Sequence, residues 1–232
     1  MKIYLEDSYV KEFEARVVSV NDKVVVLDKT AFYPRGGGQP ADTGKLVKNE
    51  EYEVVNVKKD GDGVVVHLVD KEGLEEGDVV KGVINWSRRY KLMQYHTASH
   101  VLSGLLYKEL GAKITGNQID EDKLRLDFNL EEFDKEILKE YVVKTNRELR
   151  KNHVVKIYEI PRVEAEKDSS LVKLAGALPP SIEMLRIVEV GDVDKQADGG
   201  THVRNTSEIP DLNFLKADNK GKSNRRLYVS FV

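Results

Sequence analysis

The sequence predicts an α+β protein in two parts: a small β-barrel-like region over residues 1–85, then an α+β region over residues 86–232 whose helices pack on a mostly antiparallel sheet. Three observations predict it. Short β-rich runs separated by turn residues fill positions 13–84. After Trp86 the apolar period lengthens from about two to nearly four. Strand-like runs then return beyond position 154. A chain of 232 residues suits either one large domain or two small ones.

In chain order, residues 13–20 and 23–27 flank Asn21-Asp22, a pair suited to a tight hairpin turn. Residues 53–57 and 64–69 flank Asp60-Gly61-Asp62-Gly63 in the same way. Several strands so close together suggest a barrel or a strongly twisted sheet. Ser87 is read as the cap of a helix over 87–110, stopped by Gly111, with Met93, His96, His100 and Leu106 at helical spacing. A second helix is expected over 131–151, where Phe133, Ile137 and Tyr141 recur every four residues. Strands are expected over 154–160, 182–190 and 226–231, with a shorter helix over 163–174.

Composition narrows the function classes. At 40% hydrophobic and 33% charged residues the chain is neither a disordered polymer nor a membrane-spanning one. The net charge of −3, from 37 basic and 40 acidic residues, requires any nucleic-acid partner to be met by a local basic patch. Cysteine is absent, which removes disulfides, thiol nucleophiles and thiolate metal ligands. The start MKIYLEDSYV has no apolar core of a signal peptide, so a cytoplasmic location is expected. High Lys and Glu content would suit a heat-adapted protein.

Three of the five histidines lie in two short segments. His96-Thr97-Ala98-Ser99-His100 puts two imidazoles one helical turn apart on one face, which suits either a metal-ligand pair or a polar helix face. Asp198-Gly199-Gly200-Thr201-His202 offers a carboxylate and an imidazole across a double glycine, either as further ligands or as a turn whose Asp bonds its own backbone. Three histidines and one aspartate suit a tetrahedral zinc ion. No Glu follows His96, so the general base of an HExxH peptidase is missing. Asp198, as a carboxylate, would let a water or a substrate oxygen reach the metal.

Upstream, Thr30-Ala31-Phe32-Tyr33-Pro34-Arg35-Gly36-Gly37-Gly38-Gln39-Pro40 either brings backbone amides close to a ligand or forms a turn between strands. No Lys-Ser/Thr follows its glycines, so it is not a Walker loop. Two basic stretches, one with Arg88 and Arg89 and one with Lys220, Lys222, Arg225 and Arg226, read either as phosphate-contacting patches or as solvated faces.

TAFYPRGGGQPADTG, HTASH and DGGTHV together resemble, in order and separation, the editing domain of alanyl-tRNA synthetase and its free-standing relatives, the AlaX trans-editing proteins. The resemblance covers almost the whole chain. HTASH and GGTHV also resemble the threonyl-tRNA synthetase editing domain, but FYPRGGGQ, the segment Leu124–Phe128 and the β-rich first part are similar to the alanyl type, in its medium-length form. The resemblance implies a cytoplasmic, zinc-dependent aminoacyl-tRNA deacylase whose partner is mischarged tRNA(Ala) and which removes serine while sparing alanine. It implies one Zn²⁺ held by His96, His100, Asp198 and His202, with Asp198 where the family usually has Cys. It also implies that Thr30 bonds the serine hydroxyl, that Gln39 contacts the substrate, and that Gly36, Gly37 and Gly38 shape the pocket. Arg88, Arg89, Lys220, Lys222, Arg225 and Arg226 are the expected tRNA contacts. A non-catalytic zinc- and tRNA-binding module is the alternative.

Overall fold

The structure, a computed structural model, describes residues 1–132, 134–167, 171, 183–221 and 224–232. It divides into two compact units, Met1–Leu92 and Met93–Val232. Among the described residues no helix is long and apolar enough to cross a membrane.

The first unit opens with a single turn, α1 (Ile3–Glu6), followed by β1 (Glu12–Asn21), β2 (Val24–Leu27), β3 (Gly44–Val47), β4 (Glu51–Lys59), β5 (Val65–Val69) and β6 (Val79–Ile84). These strands close into an antiparallel barrel in the order β1-β2-β5-β4-β3-β6. Alternation builds it: on β1, Phe13, Ala15 and Val17 point into the core while Glu12, Glu14 and Arg16 face solvent. Asp22, with φ of 53°, makes the β1–β2 turn that Asn21-Asp22 predicts. Closure pairs every barrel strand on both sides, so the region has no open sheet edge.

The long helix α2 (Trp86–Leu110) is capped two residues earlier than expected. Asn85, rather than Ser87, is the cap: its side-chain oxygen accepts from the Arg88 amide at 3.3 Å and from the Ser87 hydroxyl at 2.9 Å. Gly111, with φ of 65°, ends the helix as its sequence position predicts. The division between the units falls within this helix.

The second unit carries β7 (Ile114–Ile119), β8 (Leu124–Phe128), α3 (Lys135–Leu149), β9 (Val155–Pro161), α4 (Arg162–Ala165), β10 (Met184–Val190), β11 (Asp194–Ala197), β12 (Leu212–Asn219) and β13 (Arg225–Phe231). They form two antiparallel sheets, β11-β10-β9 and β12-β13-β8-β7. α3 packs on β12 and buries Leu138, Tyr141, Val142 and Leu149, and Asp134 caps it by accepting from the Glu136 and Ile137 amides. It is shorter than the expected 131–151 because that cap fixes its start; Phe133 lies outside the described residues. Of the helix expected over 163–174, the described part is the single turn α4, and most of the remainder lies outside the described residues, as does position 182 of the expected strand.

Arg89 departs from its expected role as a tRNA contact. It is 0% exposed, because its guanidinium is enclosed by acceptors in the first unit: the Asp42 carboxylate, the Ser8 carbonyl at 2.9 Å and the Ala31 carbonyl. Removing one partner of such a pair strands a buried charge. Arg89→Met is expected to lower the unfolding free energy by about 3–5 kcal/mol, against less than about 1 kcal/mol for Arg88→Met, read from urea denaturation.

Candidate functional site

α2 places His96 and His100 one turn apart on the same helix face. The segment after β11 brings Asp198 and His202 to them. The four potential ligand atoms all lie within 4.8 Å of one another, with the three histidines buried and Asp198 half-buried. His202 Nε2 is 3.0 Å from Asp198 Oδ1, and His96 Nε2 is 3.5 Å from Asp198 Oδ2. Ligands about 2.1 Å from a tetrahedral ion sit about 3.4 Å apart, so this donor set fits a single small divalent metal. Gly200 is required here, since a Cβ would lie 2.2 Å from His96 Cε1. Its amide in turn donates to Asp198 Oδ1 at 2.6 Å.

Neighbouring groups orient the imidazoles. His100 Nδ1 donates to Asp194 Oδ2 at 2.8 Å, leaving Nε2 as the ligand atom. His202 Nδ1 sits 3.1 Å from Thr97 Oγ1, which accepts the Val203 amide at 3.2 Å. The sequence reading missed Asp194. Its signal was weak: an acidic residue at a strand start, opposite Gly104, where an added Cβ would lie 3.0 Å from the Asp194 Cβ.

Burial works against the Asp198 anion, but the neighbouring His96 and a hydrogen bond from His202 outweigh it and hold the carboxyl well below its usual range. Burial, reinforced by His96, drives the His202 imidazole well below its usual value. An anionic carboxylate beside a neutral imidazole is the protonation state that binds a cation.

Within the first unit, Thr30 is 3% exposed and hydrogen-bonded to His67, itself 0% exposed, at 2.8 Å between Oγ1 and Nε2. His67 Nδ1 faces the Val25 carbonyl at 3.1 Å, and Thr30 Oγ1 accepts the Phe32 amide at 3.1 Å. His67 escaped the sequence reading because it lies in no motif. The available signal was a polar residue at an inward position of β5, between Val65 and Val69.

The glycines make a tight turn. Gly36 and Gln39 exchange backbone hydrogen bonds at 3.1 and 2.9 Å, and Gly37 and Gly38 occupy φ of 56° and 81°. The Gly36 and Gln39 amides are therefore used by the turn, and Gln39 is 0% exposed.

Among the basic residues, Arg225 is buried, donating to the carbonyls of Gly221 and Glu131, which removes it from a phosphate-facing role. Arg226 is engaged with both oxygens of Asp127. Lys220 pairs with Asp218 at 3.7 Å, Arg88 is half-buried with one nitrogen on the Ala41 carbonyl, and Lys222 lies outside the described residues.

Two family models match. Residues 4–88 match "tRNA synthetases class II (A)", and residues 185–228 match "Threonyl and Alanyl tRNA synthetase second additional domain". The alanyl-tRNA editing protein AlaX-M of Saccharolobus solfataricus is 47% identical over 99% of this chain and 98% of its own. That of Methanosarcina barkeri is 48% identical, again over 99% and 98%. The alanine–tRNA ligase of Pyrococcus furiosus is 40% identical over 93% of this chain, which spans 24% of the ligase.

Asp194→Asn is expected to weaken affinity for a divalent transition-metal ion by about 10- to 100-fold, measured by competition with a chromophoric chelator. A second expectation concerns pH. Burial pushes the His67 imidazole down to about 4, against about 6.5 when unfolded. Between those values the unfolded chain carries the extra proton. The His67 contribution to stability is therefore whole above about pH 6.5 and lost as pH falls towards 4, by about 1.4 kcal/mol per pH unit and roughly 3 kcal/mol in all. Urea unfolding at pH 7 and pH 5 should show a smaller difference for His67→Phe than for the wild type.

Proposed function

Because the chain belongs to the AlaX-M alanyl-tRNA editing proteins, we propose that it deacylates mischarged Ser-tRNA(Ala) in the cytoplasm, sparing Ala-tRNA(Ala), with one zinc ion held by His96, His100, Asp198 and His202. The observation that carries this reading is the convergence of three imidazoles and one carboxylate at spacings suited to one tetrahedral ion. Zinc bound there supplies Lewis acidity, towards a water or towards an oxygen of the aminoacyl-ribose end.

The reaction adds water to the ester carbonyl and releases serine and a tRNA with a free terminal hydroxyl. Asp198 contributes one negative charge to the ligand set, as a thiolate would, so the centre stays singly positive. With an ion bound, its carboxylate, unlike a thiolate, would be able to shift and admit a water or a substrate oxygen. Asp194 and Thr97 fix the rings of His100 and His202. Thr30 supplies the contact for the serine hydroxyl. An alanyl ester has no hydroxyl and leaves that buried oxygen without its partner, a kind of mismatch that discriminates strongly. Arg88 and Lys220 are the residues from the two basic stretches that we assign to tRNA phosphates.

Deacylation of Ser-tRNA(Ala) and Ala-tRNA(Ala) tests this, using native protein, chelator-treated protein and His96→Ala, each assayed for bound zinc. Native protein should carry one zinc per chain and release serine, with alanine spared. Chelation or His96→Ala should cost at least about 100-fold in serine release. Bound zinc with neither ester hydrolysed would sink the editing reading and favour a non-catalytic tRNA-binding module.

A further inference from the structure

Among the described residues a second group of metal-ligating side chains gathers in the second unit: Glu148, His153 and Asp192, whose potential ligand atoms all lie within 4.8 Å of one another. Glu148 and His153 are half-buried and Asp192 is exposed. His153 Nε2 lies 2.6 Å from Glu148 Oε1. None of the three has a part in the editing reaction proposed above.

The backbone builds this group. Asn152, at φ of 60°, turns the chain between α3 and β9, so that His153 comes back beside Glu148 in the last turn of α3. The His153 amide donates to Thr206 Oγ1 at 2.9 Å, and the His153 carbonyl accepts from the Thr206 amide at 3.0 Å. Gly191, at φ of 52° between β10 and β11, donates its amide to the Val154 carbonyl at 3.3 Å. That bond ties the turn carrying Asp192 to the segment carrying His153. A Cβ on Gly191 would lie 2.3 Å from His153 Nδ1, so the glycine lets the Nδ1 edge of the ring rest on the turn and leaves Nε2 to face Glu148. Two left-handed positions, which most side chains avoid, thus bring one imidazole and two carboxylates together. The group already draws in a cation: the Lys151 ammonium is 2.7 Å from Glu148 Oε2, and Asp192 adds to the field that holds its proton. The Lys151 side chain is 61% exposed, so a doubly charged ion can displace it at little cost.

We propose that Glu148, His153 and Asp192 form a second divalent transition-metal site, suited to Zn²⁺, that clamps the end of α3 to the β10–β11 turn. An imidazole nitrogen and two carboxylates are donors that zinc accepts, with water completing the shell. An ion entering there frees Lys151 to solvent. The clamp steadies the turn two residues ahead of Asp194, whose carboxylate holds the His100 ring. With three protein ligands, one of them exposed, this is the weaker of the two sites.

Equilibrium dialysis against Zn²⁺ tests it, with affinities read by chelator competition for wild type, His153→Gln, Asp192→Asn, Lys151→Met and His96→Ala. The wild type should bind two zinc ions of unequal affinity. His153→Gln and Asp192→Asn should each weaken the weaker site by at least about tenfold and leave the tighter one unchanged. Lys151→Met should tighten the weaker site, and His96→Ala should lose only the tighter one. Excess Mg²⁺ should leave the weaker site loaded, since magnesium does not favour imidazole. Asp192→Asn changes an exposed turn residue and stands in if His153→Gln does not fold. A single zinc that is lost in His96→Ala and kept in His153→Gln overturns the proposal. So does a second zinc that survives both His153→Gln and Asp192→Asn, or one displaced by magnesium, which marks a diffuse acidic surface. A single zinc kept in His96→Ala and lost in His153→Gln would support this site and count against the zinc centre of the editing reading.

Discussion

A guanidinium with no exposed surface sets the terms for the first unit. Arg89 reaches from α2 to Asp42, the Ser8 carbonyl and the Ala31 carbonyl. Asp42 also accepts the Tyr33 amide at 2.6 Å and returns its own amide to the Tyr33 carbonyl at 3.0 Å. The stretch from Ala31 to Asp42 has almost no strand pairing, yet much of it is buried. Buried irregular backbone must find hydrogen-bond partners elsewhere. One charged pair supplies several of them. Its net contribution over a hydrophobic substitute is small, but an apolar pair would leave these carbonyls and amides orphaned. Stability and geometry are thus decided by the same group, and the irregular segment that begins at Thr30 inherits its shape from that group.

The candidate metal-binding cluster follows a related logic in the second unit. His96 and His100 come from a helix, whose period places them; Asp198 and His202 come from a turn, whose conformation has to be imposed. Gly200 imposes it by having no side chain against His96, and by donating its amide to Asp198. Asp194 and Thr97 then spend the Nδ1 atoms of His100 and His202 on the protein, which points the Nε2 atoms at the common centre. A cluster of three imidazoles and one carboxylate buried to this degree is costly unless each group has a defined partner.

How far the sequence reveals this depends on whether a residue's role is local. The barrel was legible because alternation such as that of Phe13, Ala15 and Val17 is a local property. β7, β11 and β12 were not, since Ile114–Ile119, Asp194–Ala197 and Leu212–Asn219 are rich in polar residues and owe their strand state to cross-strand pairing. HTASH was legible because four residues make one helical turn. Arg89 and Arg225 read as surface bases because both sit in runs of basic residues; the acceptors that bury Arg89 lie 47 to 81 residues away. His67 is the same case: its partners are 37 and 42 residues distant, and neither lies in a motif with it.

The donor set of the centre contains nitrogen and oxygen and no sulfur, and the chain has no cysteine anywhere. A thiolate ligand exposed to peroxide climbs through sulfenic to sulfinic acid and ceases to bind. A carboxylate at position 198 has no such ladder to climb. The donor set is therefore indifferent to oxidants that would silence a thiolate, and because His96 and His202, against the cost of burial, hold the Asp198 carboxyl well below its usual range, that indifference is not exchanged for sensitivity to acid at Asp198.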